Sequence, residues 1–129
     1  MIAFETVRAQ RIVADSTSLD GLHPPVGGVA LRLASDEVLL IIDDQSFNWS
    51  VADPDAIVVD ESGLSGVLLD RGWFEHAIAP HIDWAIPTAH PALAQGLVAG
   101  VPCKLWFDED DDVLVLCSTS HVHELEARL

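Results

Sequence analysis

Basic residues are scarce in this chain. Six Lys and Arg stand against 21 Asp and Glu among 129 residues, a formal net charge of −15. Nucleic-acid binding needs a basic footprint, and six scattered cations do not supply one. Anionic membrane surfaces are disfavoured for the same reason. Cysteine is also scarce: Cys103 and Cys117 are the only two, too few for a disulfide framework. Both fall on candidate neighbouring strands, and two small buried thiols are the expected state. Long apolar runs are missing as well. The longest are far below the roughly 18 residues of a membrane helix. No basic, apolar leader opens the chain, since Phe4, Glu5 and Arg8 interrupt it. These absences point to a cytoplasmic, reduced protein.

What is present is apolar and patterned. Half of the residues are hydrophobic, which excludes an intrinsically disordered chain. The length suits a single domain spanning residues 1–129. Such an acidic chain suits docking to a basic partner.

The first twenty residues are mixed, with a short entry strand expected near Ile2-Ala3-Phe4 and Val7. Gly21 to Gly27 reads as a loop, because Pro24-Pro25 and Gly27-Gly28 interrupt regular structure. Val29, Leu31 and Leu33 then alternate with Ala30 and Arg32, the period of a half-buried strand. Ala34-Ser35-Asp36 makes a turn, and Val-Leu-Leu-Ile-Ile follows, so Gly28–Asp43 is expected to be a β-hairpin. Further strands are expected at Ala56–Asp60 and Leu64–Asp70. A short helix should start at Asp70, whose carboxylate suits a helix N-terminus, and should end at Pro80. An extended loop holding Ile82, Trp84 and Ile86 comes next. Ala94–Ala99 and Val101–Phe107 should pair across Ala99-Gly100, and Val113–Cys117 should pair back against Lys104–Phe107. Ser118, Thr119 and Ser120 offer capping hydroxyls for a closing helix, which presents Val122, Leu125 and Leu129 on one face. Neither βαβ alternation nor an all-β series fits. The fold class is therefore α+β, with a mainly antiparallel sheet and two short helices.

Motifs for chemistry are also lacking. The run Asp108–Asp112 places carboxylates at the first calcium-loop offsets, but no Gly follows and the twelfth position is Thr119. A solvated hairpin tip is the better reading. Six histidines carry no His-x-x-x-His or Cys-x-x-Cys spacing. On a helix His121 and His123 would diverge by about 200°. No Gly-x-Ser-x-Gly elbow occurs, and Gly27-Gly28 enters a strand rather than a helix, so no phosphate cradle is formed. No catalytic, cofactor-binding or metal-binding residue is therefore assigned. Among the four tryptophans, Trp84 and Trp49 lie in irregular segments and are the partner-interface candidates.

The order of segments carries more information than any site. Ala30 to Ile41, two leucine-rich strands around Asp36-Glu37, resembles a hairpin of the gamma subunit of heterotetrameric sarcosine oxidase. Val59-Asp60-Glu61-Ser62 followed by Val67-Leu68-Leu69 is similar to that family's Asp-x-Ser segment and the strand after it. Ile78-Ala79-Pro80-His81-Ile82-Asp83-Trp84 matches a short helix running into a Pro-Leu-Asp-Leu loop. Gln95-Gly96-Leu97-Val98-Ala99-Gly100-Val101-Pro102-Cys103-Lys104-Leu105-Trp106 resembles the family's Gln-Thr-Leu-Leu-Ala-Gly-Val-Pro-Val-Leu-Leu-Trp stretch. After the Asp-x-Ser segment this chain departs from the family, with Gly63, Ser65 and Gly66 in place of a basic or Thr-bearing strand. The resemblance covers roughly residues 28–129.

It implies a fold like the folate-binding domain of aminomethyltransferases. It also implies a non-catalytic structural subunit of a complex that oxidatively demethylates N-methyl amines. Its partners would be larger flavoprotein subunits, which would hold the flavin, NAD, zinc and tetrahydrofolate. Two other readings fit the size and charge: a stand-alone acidic binding protein of the immunity or inhibitor type, and a free folate-type binder.

Overall fold

A computed structural model describes residues 2–24, 26–42 and 53–129. In chain order the elements are β1 (Glu5–Thr6), β2 (Ala9–Val13), α1 (Ser16–Asp20), β3 (Val29–Ala34), β4 (Glu37–Ile41), β5 (Ile57–Glu61), β6 (Leu64–Leu69), α2 (Arg71–Trp73), β7 (Ala92–Val98), β8 (Val101–Phe107), β9 (Val113–Ser118) and α3 (Val122–Arg128). The fold is α+β, with two antiparallel sheets and three short helices. No described helix is long and apolar enough to cross a membrane. The chain divides into two compact units, one of residues 1–6 and 63–129 and one of residues 7–62.

The first unit holds a five-stranded sheet in the order β1-β6-β9-β8-β7. Its core follows from strand alternation. Val101, Cys103, Leu105 and Phe107 of β8 are all buried, while Pro102, Lys104 and Trp106 between them are more open. Cys103, Leu105 and Phe107 lie opposite Cys117, Val115 and Val113 of β9, so the same face of both strands enters one core. Phe74, Ile78 and Leu125 complete that core from the helical segments. The β7–β8 hairpin closes through Ala99 and Gly100, both at positive φ (50° and 81°), the conformation that matches a two-residue turn to strand twist. The Ala99 amide donates to the His81 carbonyl at 3.0 Å, and Arg128 donates to the Ala99 carbonyl at 2.7 Å.

Two local expectations are corrected here. Pro80 does not end the helix at residue 79. After α2 the chain continues through a wider π turn over Phe74–Ile78 and a 3-10 turn over Ala79–His81. Pro80 sits in the first turn of the latter, where a missing N–H leaves no bond unmade. The hydroxyls at residues 118–120 do not cap α3. Ser118 Oγ is bonded to Ser120 Oγ at 2.8 Å and Thr119 Oγ1 to Ser65 Oγ at 2.9 Å. A 3-10 turn over Thr119–His121 leads into the helix instead.

The second unit holds a four-stranded sheet in the order β3-β4-β2-β5. The expected β3–β4 hairpin is present. Strand β2 and helix α1 were not foreseen, because β2 buries Ala9 and Ile12 rather than alternate residues. In α1, Asp15 accepts from the Ser18 amide at 2.8 Å. The core comprises Ile12, Ala14, Leu19, Val38, Leu40 and Ile42.

Candidate functional site

The interface candidate Trp84 is half-buried against the first unit's core. Its indole N–H donates to the Leu97 carbonyl at 2.9 Å. Its ring lies over Gly96, where a Cβ would come within 2.5 Å of the indole. The glycine in β7 therefore makes room for the tryptophan. Trp49 lies outside the described residues.

The acidic run is organised by its own first carboxylate. Asp108 Oδ1 accepts the amides of Asp110 and Asp112, both at 2.9 Å. Asp111 sits at φ 68° and faces His90 at 3.6 Å and Arg71 at 3.9 Å. Arg71 in turn lies over the rings of Phe74 and Phe107, at 5.8 and 5.5 Å from their centroids. One guanidinium thereby ties helix start, core and acidic turn together, an arrangement that suits hairpin anchoring. Among the described residues no group of three His, Cys, Asp or Glu is placed to hold a metal ion.

Cys103 and Cys117 are register partners on β8 and β9, both buried and both free thiols. Burial pushes the Cys103 thiol up to about 12, with the neighbouring Cys117 adding to the rise. Burial also raises Cys117. A thiol held neutral in this way is a poor nucleophile.

Among the described residues the histidines do not converge on a nucleophile. His76 and His81 border a cleft of about 410 Å³, together with Trp73 and Glu126. Trp73 meets His76 edge to face, with ring centroids 6.3 Å apart. One oxygen of Glu126 already accepts the Phe4 amide at 3.1 Å. The cleft offers an aromatic ring and imidazoles, without an aligned base and nucleophile.

A different surface went unread in the sequence. Strand β5 exposes three successive β-branched residues, Ile57 at 59%, Val58 at 43% and Val59 at 51%. The strand itself is legible in the sequence. Its openness is not, because three apolar residues in a row put Ile57 and Val59 on one face and Val58 on the other, which suggests burial on both. Val59 lies opposite Arg11 of β2, and Arg11 reaches Glu37 and Glu61 through ion pairs. The hydrogen bond to Glu37, first among these contacts, raises the Arg11 guanidinium above its ordinary value. Comparison with protein-family models, curated proteins and solved structures finds no match to this chain.

Proposed function

We propose that this chain is a non-catalytic, partner-bound subunit of a sarcosine oxidase-like complex that oxidatively demethylates N-methyl amines. Its task is to pack against larger flavoprotein subunits and brace the folate-linked part of the assembly. The flavin, NAD and tetrahydrofolate belong to those partners. The observation that carries the partner-bound reading is the set of exposed β-branched side chains on β5, apolar surface that gains free energy when covered. The choice of complex is supported by the ordered series of segments from Ala30 to Trp106 that resembles the gamma subunit. A net charge of −15 would steer such a subunit toward a basic partner face and raise its association rate.

Affinity capture of the tagged chain from its native host, followed by a flavin absorbance scan of the eluate, tests this function. Co-elution of larger yellow chains in fixed proportion is the expected result. An eluate free of flavoprotein would overturn it, and a small basic protein in its place would favour an inhibitor-type role.

A further inference from the structure

The two sheets present four outer edges among the described residues, and three are closed in different ways. Strand β1 is two residues long. The end of β7 is tied down by the Trp84–Leu97 and Ala99–His81 hydrogen bonds. Strand β3 carries a register break between Arg32 and Ala34. There Arg32 folds over its own strand end, donating to the carbonyls of Ala34 at 2.9 Å and Ser35 at 2.6 Å and to Asp20 at 2.9 Å. These are the devices by which proteins stop strands from pairing with strangers.

Strand β5 has none of them. It runs five residues, pairs with β2 without a break in register, and contains no proline or lysine. Its other long side has no strand neighbour among the described residues. An edge of this kind recruits another strand through main-chain hydrogen bonds, with alternate side chains setting specificity.

Charge selects the occupant. Residues 33–69 contain eight carboxylates and no Lys, Arg or His, and β5 ends in Asp60-Glu61. A second copy paired antiparallel about Val59 would set Ile57 against Glu61 and Val58 against Asp60, and would bring two strongly acidic segments together. The apolar–carboxylate pairs gain nothing from facing each other, and the like net charge of the two segments opposes the arrangement. We propose that β5 is extended by one β-strand of a larger partner subunit, apolar opposite Ile57 to Val59 and carrying Lys or Arg opposite Asp60 and Glu61. This rests on the partner-bound reading above and names the surface it uses.

The test compares wild type with the double variant Ile57→Lys, Val59→Lys. Both side chains are more than half exposed, so the fold should persist, as circular dichroism would verify. Lysines there repel a basic strand and guard the edge. In the captured complex, amides of residues 57–61 should exchange about tenfold or more slowly than in the free chain. The double variant should lose partner capture by about tenfold or more. If the variant does not fold, exchange in the wild-type complex decides alone. A flavoprotein complex with unprotected 57–61 amides would overturn the β5 assignment and leave the subunit reading standing. Capture of no flavoprotein would remove both. A concentration-dependent dimer of the chain alone that the two lysines abolish would show self-pairing and overturn the assignment.

Discussion

The two units build sheets of similar size and support them unequally. The five-stranded sheet is backed by helical segments that contribute Phe74, Ile78 and Leu125 to a core of twelve buried residues. The four-stranded sheet is backed by α1, five residues long with Leu19 as its single buried side chain, over a cluster of six among the described residues. Stability from apolar burial grows with buried area, so the six-residue cluster contributes less than the twelve-residue one. The same inequality appears at the edges, where β7 is tied down and β5 has no outer strand neighbour among the described residues. The outer strand β5 of that unit shows three successive apolar residues to solvent, where β7 shows Leu97, which makes a covering partner worth most there.

The largest effect expected is at the centre of the better-supported unit. Phe107 is fully buried. It meets Phe74 edge to face at 5.4 Å and stacks on His90 at 5.4 Å. Phe107→Ala should cost about 3 to 5 kcal/mol, read from urea unfolding. It should also release Arg71 from one of its two rings. In the smaller core, Leu40→Ala should cost about 3 kcal/mol and accelerate amide exchange selectively over β2 to β5. Equal acceleration over β6 to β9 would break the contrast between the units.

How much of this was legible in the sequence depends on how locally each feature is encoded. The β7–β8–β9 meander was readable because Ala99-Gly100 bends an apolar run into two strand lengths and the acidic run Asp108–Asp112 marks the next turn. The α+β class followed from short strands mixed with two helical stretches, in neither βαβ alternation nor an all-β series. Strand β2 was not readable, since Ala-Gln-Arg-Ile-Val has no period of two. Its pairing with both β4 and β5 is long-range information. Asp70 was visible as a cap, because the cap and its acceptor geometry lie within four residues. The hydroxyls of residues 118–120 misled, since their partners include Ser65, 54 positions from Thr119. Trp84 was singled out for lying in an irregular segment. Nothing local indicated that Gly96 leaves space for its ring.

That glycine gives the next prediction, a test of how β7 is secured. A Cβ at Gly96 would sit 2.5 Å from Trp84 Cε2 and 2.6 Å from Nε1, so the indole must move. Gly96→Ala should cost about 2 kcal/mol through overpacking. The Trp84 indole proton should give a signal protected from deuterium exchange in the wild type, and that protected signal should be lost in the variant as the bond to Leu97 breaks. Retention of that signal would mean that the end of β7 is held by other contacts. A smaller loss is expected from the cap of α2. Asp70 Oδ1 accepts the Trp73 amide at 2.8 Å, and Asp70→Ala should cost about 1 kcal/mol in the same unfolding assay.

The smallest effect belongs to the cap of α1 and carries a pH signature. The Ser18 amide and then the Ser18 hydroxyl donate to Asp15, and together they hold its carboxyl below the usual value of 3.8. A folded-state pKa below the unfolded one means that the unfolded chain takes up the proton first as pH falls. The contribution is therefore complete above about 3.8 and disappears as pH drops through the lower folded value. Asp15 is solvent-exposed, so the change is slight, and its direction is the measurable point. The Ser18 amide shift should titrate with a midpoint under 3.8. Asp15→Asn should abolish that titration while keeping the helix capped, because asparagine caps as well as aspartate. A Ser18 midpoint at or above 3.8 would show that the cap is not closed in solution. Helix α1 would then lose its N-terminal cap and rest on the Arg32–Asp20 contact, and the support of the four-stranded sheet would be weaker still.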